Sequence, residues 1–254
     1  DRDPDSPTHG LTYRATSPNT LFADRRNLAR PAMWRMLRDI ARFYRAANDF
    51  LGAPDPTITL DEFLSSGGYS RDFVELHLIP MGAAVWSADP TTFGAFPAQS
   101  LLTFLANHGL LGVRDRPQWR SIRGGSRSYV DAIASRFAGT IRLSSPVRSI
   151  RRTDHGVEVT TRDAVDTFER VVLAVHSDQA LAMLADASPT ERAVLGAVRY
   201  QPNRATLHTD TTLLSPQRRA WAAWNYDRRG SDHRLATLTY DLTNLQRLTG
   251  TNRC

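Results

Sequence analysis

The chain has 254 residues, of which 41% are hydrophobic, and a formal net charge of +6. This length allows one large domain or two smaller ones, and the apolar fraction supports a sizeable core, which excludes a disordered chain. The basic residues are all arginine, a count that is also typical of a GC-rich genome. They are interleaved with Asp and Glu, which argues against a dedicated nucleic-acid stripe. The charge balance still allows nucleic acid, anionic lipid or a phosphate-bearing cofactor as partner.

Cysteine use and hydropathy bear on where the protein works. Cys254 is the single cysteine, which excludes an intrachain disulfide and a cysteine-based metal site and fits a reducing, cytoplasmic setting. No apolar run approaches the roughly 20 residues of a membrane-spanning helix, and no signal peptide is recognisable. Because the sequence starts at Asp1 without a methionine and stops inside a helix signal at 244–248, we expect a piece of a longer protein.

The first half of the sequence predicts helices. A long helix begins at Pro31, which suits a first turn, and stops at Gly52. Its apolar positions favour an amphipathic core helix, with a membrane-surface helix as the alternative. These positions are Trp34, Leu37, Ile40, Ala41, Tyr44, Ala47 and Leu51.

Shorter helices follow up to residue 109. The run Thr59-Leu60-Asp61-Glu62 is a capping-box pattern, and Ser70 can cap the next helix. Pro80 predicts a stop or a kink in that helix. A further helix starts at Pro97 and ends at Gly109, so residues 29–109 read as a mostly helical unit.

A glycine turn separates this helical part from a strand-rich part. The stretch 116–130 reads RPQWRSIRGGSRSYV: a tryptophan in a short strand signal, the turn Gly124-Gly125-Ser126, and the start of a helix. Bare N–H groups at a helix N-terminus suit an anion or the polar edge of a cofactor. The alternative is a tight turn that needs positive φ.

Strand signals dominate the second half. Asp154-His155-Gly156 predicts a hairpin turn, and Ser188-Pro189-Thr190-Glu191 is a second capping box. The apolar run Arg170–Val175 is typical of a strand buried on both faces, after which Ser177 caps a helix. The other predicted strands cover 141–143, 147–151, 157–161, a short one closing at Phe168, 205–209, 221–226 and 235–240.

Few constellations point to chemistry by themselves. The sequence has no Gly-x-Ser-x-Gly elbow, no Walker pattern and no Gly-x-Gly-x-x-Gly fingerprint. His208 and Asp210 would share a strand face as a metal pair, but no third ligand is evident. His176, Asp178 and Gln179 follow a predicted buried strand, where ligands bind in parallel sheets, although helix capping explains them equally well.

Aromatic residues form a last pattern. Trp221, Trp224 and Tyr226 predict an aromatic strand face, which suits a flat cofactor or substrate ring, and core packing explains them equally well.

Several uncommon runs in order resemble one family. They are FVELHLIPMGAAVWS at 73–87, NHGLL at 107–111, RPQWRSIRGGSRSYV at 116–130, VVLAVHSDQAL at 171–181, LHTDTTLL at 207–214 and AWAAWNY at 220–226. Together they resemble bacterial flavin-dependent amine-oxidase-like oxidoreductases of the monoamine oxidase and phytoene desaturase superfamily. The resemblance covers about Asn19 to Gln246.

The resemblance implies an α/β (α+β) flavoenzyme: a partial FAD/NAD(P)-binding fold, a mostly helical substrate cap and a mixed or antiparallel sheet. The cap would occupy 19–115, part of the FAD-binding domain 116–200, and truncated strands of the substrate domain 201–254. The family's opening glycine fingerprint and its closing FAD segment are not found in this sequence. We therefore expect this chain alone to bind FAD weakly or not at all.

The resemblance also implies roles for particular residues. Gly124, Gly125, Ser126, Val147 and Ala174 match positions near the FAD. On the substrate side the matching residues are Ser128 and Tyr129, with the aromatic Trp224 and Tyr226. Asn203 matches the position where the superfamily strand passes the reactive side of the flavin, often with a lysine. This sequence has no lysine, so the resemblance does not extend to the lysine-and-water chemistry of the amine oxidases.

Three hypotheses of function remain open, and the second and third of them are non-catalytic. The first is part of an FAD-dependent oxidoreductase that moves a hydride from an apolar, lipid-like small molecule to the flavin, with peripheral membrane contact and without nucleic acid. The second is a basic module that binds anionic lipid or nucleic acid. The third is a flavin-fold relic that acts through protein contacts.

Overall fold

The structure, a computed structural model, describes residues 1–86, 92–112, 117–118, 120–200, 202–228 and 237–248. Arg116, Trp119, Leu235 and Cys254, on which expectations rested, lie outside the described residues. The chain forms two compact units. We call Asp1–Ser128 with Ala205–Cys254 the helical unit, and Tyr129–Arg204 the meander unit. The predicted domain limits stay a prediction.

Helices and small antiparallel sheets make up the fold, which is compatible with the expected mixed α/β class. The helices are α1 (Pro18–Leu21), α2 (Pro31–Gly52), α3 (Leu60–Gly67), α4 (Arg71–Phe73), α5 (Ile79–Trp86), α6 (Ala98–Asn107), α7 (Ser126–Ala134), α8 (Ser177–Met183), α9 (Pro189–Ala197) and α10 (Leu242–Gln246). Short 3-10 turns lie at Arg25–Ala29, Phe93–Ala95, Thr211–Leu213 and Arg218–Ala220, and a π-helical turn at Val74–Leu78. The strands are β1 (Ser149–Thr153), β2 (Gly156–Thr160), β3 (Val165–Phe168), β4 (Trp224–Asp227) and β5 (Thr237–Tyr240).

Helix α2 carries the core of the helical unit. It begins at Pro31 and ends at Gly52, as the sequence predicts. Phe43 is 1% exposed and lies 5.2 Å from the ring of Phe73 and 5.8 Å from that of Tyr69, measured between ring centroids. Helices α3 and α6 complete this core with fully buried leucines. The buried apolar residues of α2 are Ala32, Met33, Met36, Ile40, Phe43, Tyr44 and Ala47.

The predicted apolar stripe of α2 is wrong at two positions. Trp34 is 52% exposed, and Ala41 is also exposed. The buried face is rotated toward Met33, Met36 and Phe43 instead, because these three long side chains bring more apolar area to the core. No helix in the described part of the chain is long and apolar enough to span a membrane.

A carboxylate lies on this buried face. Asp39 is 3% exposed and accepts hydrogen bonds from the backbone N–H of Ser70 at 2.8 Å and from Arg42 Nη1 at 2.7 Å. The second guanidinium nitrogen, Arg42 Nη2, donates to the carbonyl oxygen of Gly67 at 2.7 Å. Burial opposes ionisation of Asp39, but the hydrogen bonds from Ser70 and Arg42 outweigh it and hold its pKa below the ordinary value.

Three of the capping predictions are confirmed. Thr59 and Glu62 form a capping box at the start of α3, and Ser70 accepts from the backbone N–H of Phe73. Helix α3 ends at Gly67 and is capped by Gly68, which has φ 58° and ψ 47°, a left-handed conformation that glycine adopts at no steric cost. Ser188 caps α9 in the same way as Thr59 caps α3.

Pro80 does not stop its helix. The chain passes from α4 through the π-helical turn into α5 and continues to Trp86. In an α-helix the carbonyl of Leu76 would accept from residue 80, but proline has no N–H. The hydroxyl of Tyr13 donates to this carbonyl oxygen at 2.9 Å instead. A π-helical turn with a bonded side chain therefore replaces the predicted stop.

The meander unit contains the sheet β1-β2-β3, in which both neighbouring pairs are antiparallel. The predicted hairpin at 154–156 is confirmed, since Thr153 pairs with Gly156. Ile150 in β1 is 4% exposed, and its carbonyl oxygen accepts from the N–H of Ala185, just after α8. Helix α8 begins at Ser177 but has no side-chain cap, so the predicted cap at Ser177 is wrong.

Three predicted strands do not form. Residues 141–143, 170–175 and 205–209 have no strand pairing, and Val172 is 91% exposed. A strand buried on both faces needs partner strands and covering layers. In the meander unit β2 pairs with β1 and β3, and the described residues offer no strand to the run 170–175. Apolar composition alone therefore gave the wrong prediction there.

The second sheet belongs to the helical unit. Strand β4 pairs antiparallel with β5, and Trp224 lies opposite Tyr240. The prediction 221–226 is confirmed only from Trp224, because Trp221 ends a 3-10 turn and lies outside the strand. The aromatic face therefore lacks Trp221.

Candidate functional site

A cleft of about 1950 Å³ opens within the helical unit. Its walls come from the N-terminal segment 9–15, the helical segment 75–85, the strands β4 and β5, and the segment 120–123 with α10. Apolar side chains line much of it. They include Leu11, Leu76, Met81, Val85, Phe104, Leu110, Leu238 and Leu245. Such a cleft can take a sizeable, largely apolar small molecule.

Two predicted aromatic residues lie on one wall. Trp224 and Tyr226 both line the cleft and share one face of β4, since they are two residues apart. Trp224 packs edge-on against Tyr240, with ring centroids 5.7 Å apart. Burial raises the pKa of Tyr226 above its ordinary value, so this phenol stays protonated at neutral pH.

A tyrosine and a histidine form a polar pair in the lining of the cleft. Tyr13 Oη lies 3.0 Å from His77 Nδ1, and both residues line the cleft. Because the hydroxyl hydrogen of Tyr13 goes to Leu76, His77 Nδ1 carries the proton that Tyr13 Oη accepts. Burial raises the pKa of Tyr13 above its ordinary value, so this phenol stays protonated at neutral pH. The two hydrogen bonds therefore fix the orientation of both rings.

The Gly124-Gly125 turn lies at the edge of the cleft. The N–H of Gly125 donates to the carbonyl of Ile122 at 3.0 Å, and Gly124 and Gly125 have φ of 82° and 72°. A side chain at Gly125 would meet only Gln246, which lines the cleft, at 3.9 Å. Helix α7 begins directly after the turn at Ser126. The turn thus exposes bare backbone beside the cleft.

Ser128 supports the turn. Its hydroxyl donates to the carbonyl oxygen of Gly125 at 2.8 Å. The predicted strand before the turn is not seen at residues 120–122, where the chain has no regular structure.

The predicted site residues divide between the two units. Gly124, Gly125, Ser126, Ser128, Trp224 and Tyr226 belong to the helical unit, and Tyr129, Val147, Ala174 and Asn203 belong to the meander unit. Tyr129 is 45% exposed, and Ala174 and Asn203 are also exposed. Their roles stay predictions.

The other polar candidates have local partners. The ring of His176 stacks on Tyr200 with centroids 4.3 Å apart. His208 and Asp210 do not share a strand face, because residues 205–210 form no strand; the N–H of Asp210 donates to His208 Nδ1 at 3.1 Å. Within the described residues, no group of three His, Cys, Asp or Glu side chains could hold a metal ion.

Sequence reasoning missed Tyr13, and it missed the arginines that line the cleft, such as Arg120, Arg123 and Arg247. Tyr13 lies in a polar, proline-rich segment without periodicity, so no pattern pointed to it. The signal that could have found it is Pro80, whose missing N–H leaves a helix carbonyl in need of a donor.

Taken together, a largely apolar cleft with an aromatic wall and a glycine turn at its edge forms a site that is large enough for a small molecule. The sequence matches the model of one protein family, described as "Flavin containing amine oxidoreductase", over residues 8–227. This is well over half of the chain, so the chain belongs to the flavin-containing amine oxidoreductase family. A comparison with curated proteins found no match.

Proposed function

We propose that this chain is part of an FAD-dependent oxidoreductase that takes a hydride from a carbon atom of a small, largely apolar substrate. The observation that carries the proposal is the family match over residues 8–227. It supports oxidoreductase activity with a flavin, while FAD, the hydride and the apolar substrate are our proposals.

The residues at the cleft edge fit a flavin ring. A side chain added at Gly124 would meet Ser128 at 3.7 Å, an ordinary contact distance, so this position is uncrowded. The N–H and C=O of Gly125 are engaged within the turn, but uncrowded glycine backbone beside an open cleft leaves room for a flat ring system to approach. We propose that Gly124, Gly125 and Ser126 approach this ring, and that Val147 and Ala174 contact FAD as the family resemblance implies.

The cleft residues would position and shield the substrate. Trp224 and Tyr226 offer flat apolar faces, and Leu76 and Met81 exclude water from the wall that carries Tyr13. FAD, when bound, accepts the hydride and holds its two electrons. The sequence has no lysine, so the base–water pair of lysine-dependent relatives is not available. We propose Ser128 and Tyr129 on the substrate side and Asn203, as a neutral hydrogen-bonding amide, at the reactive side.

The test is the visible spectrum of the purified protein before and after adding FAD and removing the excess. This chain contains no glycine fingerprint for the pyrophosphate, so we expect weak or no retention of FAD by the chain itself. For the full-length protein we expect stoichiometric flavin that bleaches without oxygen when a substrate is added. A colourless full-length protein that binds vesicles of anionic phospholipid would contradict the proposal and favour a non-catalytic basic module.

A matched pair of glycine variants isolates the turn. Gly124→Ala and Gly68→Ala both place a side chain at positive φ without a steric clash, so both cost similar stability. Only Gly124→Ala should weaken flavin binding or shift the flavin absorbance band of the full-length protein. Equal flavin binding by both variants would remove the turn from the cofactor site.

A further inference from the structure

The cleft carries more positive than negative side chains. Among its described lining residues are seven arginines and four carboxylates, which leaves a formal excess of three positive charges. The arginines are Arg2, Arg14, Arg26, Arg120, Arg123, Arg228 and Arg247, and the carboxylates are Asp1, Asp24, Glu75 and Asp227.

The four carboxylates are already paired. Asp24 lies 2.8 Å from Arg26, and Asp227 lies 3.5 Å from Arg2. Arg228 bridges the remaining two, at 3.7 Å from Asp1 and 3.3 Å from Glu75. A cationic ligand would therefore find each of these carboxylates engaged by a guanidinium.

The arginines without a carboxylate lie mostly on one wall. Ser121 Oγ donates to the carbonyl of Leu245 at 2.7 Å, which brings the segment 120–123 alongside the end of α10. Because of this contact, the side chains of Arg120, Arg123 and Arg247 line the same wall of the cleft. All three are exposed, and none of them has an ion-pair partner within the ranges that the structure describes. Arg14, the fourth, donates to the carbonyl of Trp221 at 2.7 Å.

We infer that Arg120, Arg123 and Arg247 form an anion-binding wall, and that the substrate of this cleft is an apolar molecule with a carboxylate group rather than a protonated amine. The inference rests on the proposed function and names the substrate class for the same cleft. Guanidinium forks bind carboxylates with two parallel hydrogen bonds, while a protonated amine is repelled by the excess positive charge.

Three probes with the same apolar body test the charge preference. The purified protein is titrated calorimetrically with 4-phenylbutyrate, 4-phenylbutylamine and 4-phenylbutan-1-ol. We expect the carboxylate to bind about tenfold more tightly than the amine, with the alcohol between them. Added salt should weaken the binding of the carboxylate and leave the binding of the neutral alcohol unchanged. An amine that binds as tightly as the carboxylate overturns the inference.

Variants locate the preference on the wall. The double variant Arg120→Gln/Arg123→Gln should lose about fivefold in affinity for 4-phenylbutyrate and keep its affinity for the alcohol. The double variant Arg45→Gln/Arg151→Gln, at two exposed arginines outside the cleft, removes the same charge and should change neither affinity. An equal loss in this matched control would reduce the effect to net charge and overturn the assignment.

Flavin addition separates this inference from the proposed function. In the full-length protein, saturating FAD should leave the binding of 4-phenylbutyrate intact; if FAD abolishes it, the arginines serve the cofactor phosphates and the substrate assignment fails. Flavin retention is read separately from visible absorbance. A flavin-containing protein without charge preference contradicts only the inference, and a flavin-free full-length protein that prefers the carboxylate contradicts only the proposed function.

Discussion

The helical unit and the meander unit are built on different stabilising interactions. The helical unit buries Met33, Phe43 and Phe73 almost completely around α2. The meander unit has only Ile150 and Ala180 buried among its described residues, while Val172 is 91% exposed. Its hairpins and surface ion pairs, such as Arg142 with Asp166, have little apolar burial behind them. We therefore expect the helical unit to respond strongly to core truncation and the meander unit to respond mainly to changes in its local hydrogen bonding.

The largest effect should come from Phe43→Ala. Removing a buried phenylalanine from a packed aromatic cluster costs about 3–5 kcal/mol of unfolding free energy. Val172→Ala should change the stability by no more than about 0.5 kcal/mol, because the side chain is exposed. Urea unfolding gives both values: tryptophan fluorescence follows the helical unit, which contains all five tryptophans, and circular dichroism follows the whole chain. A large loss of stability in Val172→Ala would mean that the side chain of Val172 is buried and would contradict this prediction.

The next effect concerns the buried carboxylate. Asp39→Asn should cost about 2 kcal/mol at pH 7, since the charged hydrogen bonds to Arg42 and Ser70 are weakened. The pKa of Asp39 is lowered in the folded protein, so its contribution is complete above the unfolded value of about 3.9 and is lost as the pH falls through the folded value. The two proteins should thus converge in acid. Asp49→Asn, an exposed α2 position, is the control, and a pH-independent difference would contradict the pKa argument.

The capping boxes compare the two units directly. Thr59→Ala and Ser188→Ala each remove one cap and should cost about 1 kcal/mol. Hydrogen exchange measured by mass spectrometry should show faster exchange confined to α3 for Thr59→Ala. For Ser188→Ala it should spread from α9 into α8, which packs on it, because the meander unit has so few buried residues. Equal confinement in both variants would show that the units are equally cooperative.

The smallest effect is a backbone one. Gly68→Ala should lower the free energy of unfolding of the helical unit, measured by thermal unfolding, by about 1 kcal/mol, because a φ of 58° is unfavourable for alanine. Steric crowding does not contribute, since no atom lies within 4 Å of the added Cβ. Gly52→Ala, at the end of α2 and equally uncrowded, should be neutral or stabilising. A cost for both would point to packing rather than backbone conformation.

Local signals in the sequence predicted structure well in both units. The start of α2 at Pro31, the capping box at Thr59 and the hairpin at 154–156 depend on neighbouring residues, so the sequence contains the whole cause of each structure. The rotation of α2 and the unpaired run 170–175 depend on distant partners instead. Apolar residues that the fold leaves exposed have the same composition as those it buries, so no local pattern could separate them.

The candidate site was predictable only in part. Trp224 and Tyr226 followed from alternation on a strand, and the Gly124-Gly125 turn from two adjacent glycines. The arginine wall could not be read from the sequence. Arg120 and Arg123 lie on the same wall as Arg247 because Ser121 contacts Leu245, and this contact joins positions far apart in the chain.

The hydrogen bond from Tyr13 to Leu76 links two positions that sequence comparison would treat as independent. Proline at position 80 cannot give the Leu76 carbonyl the N–H that a regular α-helix would supply, and the tyrosine hydroxyl donates to this carbonyl. Any residue other than proline at position 80 restores a competing N–H. The two positions should therefore vary together during evolution, and the combined effect of replacing both should differ from the sum of the single replacements.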